Sequence, residues 1–436
     1  MDEYEIEAKL TLCRNSAITA WSRGETILSS HPWLVYLNLT NLCNNRCGMC
    51  PLHQVMRAAR GVMPSELFQR ILDQLPGEVK KIYLMKQGEP LLHPDLVRLV
   101  RYARRARPDI HLVLHTNAIL LTRPLAEELL PRINSLGISI SAINRSDYTR
   151  IHGTDNFDRV ITNLTGLSDL LRQMPAPVRP HVFIDYVRQE ANRDYSDAAI
   201  VDFFQARFPG LASVDLHRLF NWQGAIAEGN LMIQDRLPNH SFPCCVFPWA
   251  SMTICHDGRI SYCFEEPREN VFLGDITRQE VQDIWNGPDY QRFRENMAHR
   301  RFDLLTREGF HCHECSYLWN LSVQAPRNLV SGYSPRSKKN QDNVLFGHLL
   351  DLPRQELLQR ACDYYLDGEI HQALALAHLV GQLGEDDHLY SAAAELIALC
   401  RKILQQYRFQ AKWKELLDQE EFLLTSAPSR YYPLNS

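Results

Sequence analysis

From residue 33 to about residue 220 the chain alternates short apolar runs with amphipathic segments, and this limits its possible folds more than any other feature. WLVYLNLT (33–40) reads as a buried strand, and SELFQRILDQL (65–75) has helical spacing with Ser65 placed to cap it. KKIYLM (80–85), HLVLHT (111–116), GISISA (137–142) and HVFIDYV (181–187) read as further strands. Between them lie the helical segments PDLVRLVRYARRAR, PLAEELLPRI and FDRVITNLTGLSDLLRQ. Crossovers of this length imply a parallel sheet covered by helices, an α/β fold. Ligands in such sheets bind beyond the C-terminal ends of the strands. A cysteine group at 43–50, Gly88-Glu89, Asn117 and Ser141 all fall at or just after those ends, so distant residues converge on one rim.

The pattern divides the chain into segments. Residues 1–32 form a helical lead-in and 33–235 the α/β core. Residues 240–324 are rich in Cys, Pro and aromatics, with a hairpin signal in HDGRISYC (256–263), where Asp257-Gly258 is a turn dipeptide. The polar stretch APRNLVSGYSPRSKKNQDN (325–343) reads as a linker, and 344–436 as an all-α C-terminal domain. LDGEIHQALALAHLVGQLG and LYSAAAELIALCRKILQQY there resemble one helical hairpin of the repeat-protein type. One hairpin does not make a repeat array. The tail is expected to pack on the core or to meet a protein partner.

The 436 residues carry a formal net charge of -4. No run of like charge is longer than short clusters such as RYARRAR (101–107), which reads as a solvated helix face, so no nucleic-acid partner is expected. The acidic N-terminus MDEYEIEAKL has no apolar core. No stretch approaches the ~18 apolar residues of a membrane helix. No membrane association and a cytoplasmic location are expected. The cytosol keeps thiols reduced, so the twelve cysteines need an explanation other than stable disulfides. Their clustering supplies one: Cys43, Cys47 and Cys50 lie together, and six more lie between Cys244 and Cys315.

Cys43-Asn-Asn-Arg-Cys47-Gly-Met-Cys50-Pro51 has the spacing C-x3-C-x2-C. Three thiolates can hold three irons of a 4Fe–4S cluster and leave the fourth iron open, as a catalytic metal keeps an open position. The alternative is zinc, whose sites show paired C-x2-C groups or His partners. His53 is the nearest rival ligand.

With this motif the chain resembles the radical S-adenosylmethionine (SAM) superfamily over about residues 33–220. Later segments follow in the family's order. Lys86-Gln87-Gly88-Glu89-Pro90-Leu91-Leu92-His93-Pro94 is similar to its Gly-Gly-Glu motif, with Gln87 at the first Gly position. Thr116-Asn117 matches its "TN". Ser139 and Ser141 match its serine-bearing strand, although Ser141-Ala-Ile-Asn144 replaces the frequent Ser-x-Asp-Gly. His152 stands where Arg is frequent. The resemblance implies a partial (β/α)6 TIM-like barrel. Its open iron would take the amino and carboxylate groups of SAM, and an electron from the cluster would break the S–C bond to give a 5′-deoxyadenosyl radical. Glu89 would accept from the SAM ammonium, with Gly88 allowing close backbone approach. Ser139, Ser141 and Asn117 would line the cofactor, and Met49 would pack near the adenine.

Cys245, Cys263, Cys312 and Cys315 could bind zinc or a complete 4Fe–4S cluster. Their context resembles the C-terminal SPASM/twitch extension of radical SAM enzymes: CVFPW, TICHDG, LGDI, IW and CHEC occur in that order. No further cysteine follows Cys315 closely, so the match is to the shorter, twitch-like form with one auxiliary 4Fe–4S cluster held by four thiolates. Cys244 is an alternative to Cys245. Cys244 or Cys255 could also return a hydrogen atom to a substrate radical, or be a small buried hydrophobe. Cys13, Cys362 and Cys400 have no motif context and are expected to be structural.

The resemblance implies an oxidoreductase that abstracts a substrate hydrogen atom and passes a second electron to the auxiliary cluster. It implies a flavodoxin- or ferredoxin-type electron donor and a small-molecule or peptide substrate. Some 32 residues before the first strand are expected to leave no room for an N-terminal peptide-recognition domain, for which the helical C-terminal tail could substitute; the expectation leans toward a sugar or aminocyclitol. Ribosomal-peptide maturation, epimerisation and a non-catalytic zinc-binding adaptor are the alternatives. Asp185, Tyr186, Arg188, His217 and Trp222 are candidate acid–base groups on late strands or loops.

Overall fold

The computed structural model describes residues 17, 20–21, 23–226 and 245–315, and six helical residues at 358, 361, 377, 380, 393 and 396. The expected linker and most of the expected helical tail lie outside the described residues. Of the six, Ala361, Ala377, Val380, Ala393 and Leu396 are buried.

Six strands run parallel in sequence order: β1 (Leu34–Leu37), β2 (Lys81–Tyr83), β3 (His111–Thr116), β4 (Ser135–Ser139), β5 (His181–Arg188) and β6 (Ser213–Arg218). Helices Ser65–Gln74, Leu96–Ala106, Arg123–Leu129, Phe157–Gln173 and Asp197–Arg207 fill the crossovers. This is the helix-covered parallel sheet expected from the alternation, and it is consistent with the partial barrel that the resemblance implies. Val35, Leu37, Ile82, Leu114, Ile138 and Ile184 join one continuous apolar core with the helices. Ser65 is not the cap of its helix: Pro64 holds that position, and the Ser65 hydroxyl donates to Asp95 Oδ2 at 2.9 Å.

The cysteine-rich region is not a separate layer. Its strand β7 (Ser251–Ile254) pairs parallel with β1, from Leu34 against Ser251 to Leu37 against Ile254. Strands β8 (Arg259–Ser261) and β9 (Phe272–Asp275) continue antiparallel, giving one nine-stranded sheet. The turn between β7 and β8 falls at Asp257-Gly258, with Gly258 at φ +91°. Among the described residues no helix is long and apolar enough to cross a membrane.

The arginine cluster does more than face solvent. Arg104 donates to the carbonyls of Arg132, Pro108 and Ile110, and Arg107 pairs with Asp109. Lys80 Nζ also lies 2.9 Å from Asp109 Oδ2. Burial opposes ionisation of Asp109, but its Arg107 and Lys80 hydrogen bonds outweigh that and draw it down to about 2. The stabilisation is therefore complete above the ordinary aspartate range and is lost as pH falls through about 2. Asp109→Asn is expected to cost about 1 kcal/mol at neutral pH, the partly exposed pair being screened by solvent. Urea denaturation at pH 7 should show that difference, and it should shrink below pH 3 on the same linkage.

Candidate active site

The loop after β1 carries Cys43, Cys47 and Cys50, all half-buried. Several polar groups around them hold its shape. Asn41 accepts from Gly61 N at 2.8 Å and donates to Ala59 O, while Arg60 donates to Asn41 O and Leu52 O, each at 2.7 Å. His53 Nε2 lies 2.9 Å from Asn45 O, so the rival ligand is tied to the loop's own backbone. The helix Arg145–His152 presents its C-terminal carbonyls to the loop: Arg46 N donates to His152 O and Gly48 N to Ile151 O, each at 3.0 Å.

Glu89 sits behind this loop, 2% exposed. Its carboxylate accepts from Leu91 N at 3.0 Å, Thr116 Oγ1 at 2.7 Å and Asn117 N at 2.7 Å. Burial pushes its carboxyl above the ordinary glutamate range, against those three hydrogen bonds. A carboxylate offers about four acceptor positions, which leaves about one for a ligand. The Asn117 amide donates to Asn44 Oδ1 at 2.7 Å, tying the end of β3 to the cysteine loop. Gly88, at φ +92°, brings the chain so close to the loop that a Cβ there would lie 2.3 Å from Thr40 O and 2.8 Å from Leu42 O. The close approach expected of Gly88 is thus made to the cysteine loop itself.

Burial is the first cause raising all three thiols: Cys43 goes to about 11, Cys47 well above its ordinary range, and Cys50 upward. Three such thiolates need positive charge among them. A cluster's irons supply it, because metal binding favours the deprotonated ligand. Among the described residues no group of three His, Cys, Asp or Glu could hold one metal ion.

The second thiol group has the same character. Cys245, Cys263, Cys312 and Cys315 line one small pocket of about 20 Å³, walled by Phe247, Pro248, Phe293 and Met297. Burial drives Cys263 and Cys312 well above their ordinary range. Four thiols around an apolar space fit a fully ligated cluster. Cys244 lies outside the described residues. Cys255 is fully buried, and its thiol donates to Glu269 Oε1 at 3.4 Å. That glutamate also accepts from Lys86 Nζ at 2.9 Å, in an ion pair with both side chains fully buried between core and extension.

The sheet face opposite the helices is the inner face of the barrel. Tyr36, Tyr83, His115 and Phe183 form a chain of ring contacts across it, with centroids 5.0 Å, 6.0 Å and 5.5 Å apart in turn. Gly137, opposite His115 on β4, leaves room for that imidazole: a Cβ there would lie 2.6 Å from the ring. His115 Nδ1 thereby reaches to 3.4 Å from Asp185 Oδ2, and His217 Nε2 lies 2.7 Å from Asp185 Oδ1. Burial opposes ionisation of Asp185, but the two imidazoles outweigh it and hold the carboxyl far below its ordinary range. For His217, burial is outweighed by Asp185, and its pKa rises.

The segment from Cys263 to Glu266 reaches onto this face. Phe264 stacks on Tyr36 with centroids 4.3 Å apart. Glu265 is 7% exposed, and its Oε2 is buried without a hydrogen-bond partner. Burial lifts its carboxyl to about 8, against the pull of His217 and Lys86.

The structure sorts the other candidates. Ser139 is half-buried at the end of β4, in register with Asp185. Ser141 is 1% exposed, accepts from Val187 N at 3.1 Å and donates its own backbone N–H to His152 Nε2 at 3.1 Å. Met49 takes Gln189 Nε2 on its sulfur and the Trp222 indole N–H on its carbonyl, each at 3.1 Å. Trp222 is therefore a brace against the cysteine loop. Arg188 donates to the carbonyls of Asn192 and Tyr195, and Tyr186 packs edge-on against Phe204 away from the inner face. Of the acid–base candidates, Asp185 and His217 come together. Sequence reasoning missed His115 and Glu265. The period-two spacing of His111, Val113 and His115, which places them on one face of β3, was the signal for the first. The second had none.

Residues 37–178 match the radical SAM superfamily, and residues 244–316 match the iron–sulfur cluster-binding domain called SPASM. The AdoMet-dependent heme synthase of Methanosarcina barkeri is 26% identical over 152 residues, 34% of this chain and 42% of that protein. The chain thus spans less than half the length of that relative. The S-adenosyl-L-methionine-dependent 2-deoxy-scyllo-inosamine dehydrogenase of Niallia circulans is 23% identical over 302 residues, 67% of this chain and 94% of that protein. The crystal structure of BtrN in complex with AdoMet and 2-DOIA is 18% identical, with a TM-score of 0.46, covering 68% of this chain and 96% of that one. A radical SAM domain implies a 4Fe–4S cluster and SAM, and a SPASM domain implies auxiliary iron–sulfur binding. Two domain matches in this order identify the chain as a member of the radical SAM superfamily with a C-terminal SPASM domain.

Proposed function

We propose that this protein is an oxidoreductase that removes two electrons from a hydroxyl- or amine-bearing small ring, of the sugar or aminocyclitol type, seated on the inner face of the barrel. Cys43, Cys47 and Cys50 would hold the SAM-binding cluster, and Cys245, Cys263, Cys312 and Cys315 the auxiliary one. When bound and reduced, by a flavodoxin- or ferredoxin-type donor, the first cluster supplies the electron that cleaves SAM to a hydrogen-abstracting 5′-deoxyadenosyl radical.

The observation that carries the reading is the segment Cys263–Glu266. It joins a thiol of the auxiliary pocket directly to Phe264 and Glu265 on the polar inner face. A substrate there would lie beside the acceptor of its second electron. Glu265 Oε2, buried and without a partner, is suited to a hydroxyl or ammonium donor. Asp185, in contact with His115 and His217, is suited to accepting a hydrogen bond from a substrate hydroxyl and orienting it. Met49, Ser139, Ser141 and Asn117 would border the SAM cavity, Gly88 and Glu89 shaping its floor. The Niallia circulans relative, named as a dehydrogenase of an aminocyclitol, supports the same class.

The test is anaerobic incubation of reconstituted, dithionite-reduced protein with SAM, scored for 5′-deoxyadenosine. The wild type is expected to form the nucleoside, and Cys43→Ala/Cys47→Ala/Cys50→Ala to form none. Iron and sulfide are expected at about eight each per wild-type chain and about four in the variant. With a panel of aminocyclitols, a product lighter by two hydrogens should appear. Zinc in place of iron would overturn the enzyme reading, and a product of unchanged mass would replace oxidation by epimerisation.

A further inference from the structure

We propose that His152 donates a hydrogen bond to the Cys47 sulfur and thereby sets the reduction potential of the SAM-binding cluster. The inference rests on the reading that Cys47 is a cluster ligand.

The imidazole is 1% exposed and has two neighbours of opposite character. Nε2 lies 3.1 Å from Ser141 N, and a backbone N–H can only donate. Nε2 must therefore carry the lone pair. The one proton of the neutral ring then sits on Nδ1, which lies 3.3 Å from Cys47 Sγ. The tautomer is fixed by the main chain, and its remaining donor faces the sulfur.

The arrangement is held rigidly. His152 ends the helix Arg145–His152, and the two backbone bonds from Arg46 N and Gly48 N dock that helix end on either side of Cys47. The Tyr148 ring packs on the imidazole at 4.5 Å between centroids. A donor aimed at a ligand sulfur favours the more negative, reduced cluster and raises its potential. The bond is stronger to the reduced cluster than to the oxidised one, and a difference of about tenfold is expected in the equilibrium constant for reduction. For a one-electron couple that is about 59 mV.

Two conservative substitutions separate this role from a structural one. The amide nitrogen of Asn can stand near the place of Nδ1, and the amide oxygen of Gln near the place of Nε2. His152→Asn retains a donor toward the sulfur and loses the Ser141 bond. His152→Gln retains the Ser141 bond and loses the donor. Redox titration followed by electron paramagnetic resonance is the measurement. The SAM-binding cluster is the signal missing in the Cys43/Cys47/Cys50 triple-alanine variant, and the remaining signal is an internal reference. His152→Gln is expected to move only the first signal, by about 59 mV to more negative potential. His152→Asn is expected to stay near wild type. Wild-type protein labelled with nitrogen-15 histidine should show one ring nitrogen coupled to the reduced cluster. Absence of that coupling overturns the proposal even if the variants lose iron. So does an unshifted potential in His152→Gln with full iron content. Retention of both signals in the triple variant would instead overturn the ligand assignment.

Discussion

Gly88→Ala is expected to cost about 2–5 kcal/mol of stability and to reduce SAM cleavage below detection. Two penalties combine. Gly88 has φ +92°, where an L side chain is strained, and the new Cβ would lie 2.3 Å from Thr40 O. Backbone cannot move aside as a flexible side chain can. The loop must retreat, and with it the bond from Glu89 N to Leu42 O at 2.7 Å that sets the carboxylate behind the cysteines. Anaerobic urea denaturation gives the stability, and 5′-deoxyadenosine formation gives the activity. Gly77→Ala is the control: nothing lies within 4 Å of its Cβ, and its effect should be small. A Gly88→Ala protein as stable and active as the control would mean the two segments do not meet this way.

Arg294→Met should be the most damaging change in the extension, at about 3 kcal/mol or more. Arg294 is fully buried, donates to Pro248 O at 2.9 Å and Thr26 O at 3.0 Å, and lies 4.2 Å from the centre of the Trp285 ring. Methionine fills much of the volume but leaves those carbonyls without their donor. The helix Pro288–Ala298 that carries Arg294 also supplies Phe293 and Met297 to the wall of the four-thiol pocket. Iron should therefore fall toward about four per chain, the complement of one remaining 4Fe–4S cluster. The spectral shift on adding SAM, which reports the other cluster, should persist. Loss of that shift together with the iron would show that the two centres depend on one another.

The alternation of apolar runs made the sheet legible, because period and length together separate strand from helix. FDRVITNLTGLSDLLRQ became the helix Phe157–Gln173 without adjustment. Cysteine spacing marked both thiol groups for a similar reason: ligand geometry leaves a local imprint. What was illegible depends on contacts between distant segments. Nothing in HLVLHT says that His115 will meet Asp185, because the meeting depends on Gly137 being vacant between them. Glu265 reads as an ordinary surface carboxylate until β7 places its loop against β1. Ser65 looked like a cap because Ser commonly is one. Its hydroxyl was instead taken up by Asp95, which the chain reaches only after another strand.

The pairing of β1 with β7 also sets a timetable. β1 lies inside the finished sheet, buried along its whole length, yet its second neighbour is made about two hundred residues later. At ~5–20 residues per second, the ribosome leaves that edge of LVYL bare for tens of seconds. An apolar strand edge is a template for any other strand that arrives first. Growth of this protein in a host should therefore depend on what shields the nascent chain. Expressing the core without its extension should yield aggregates rather than a smaller working enzyme.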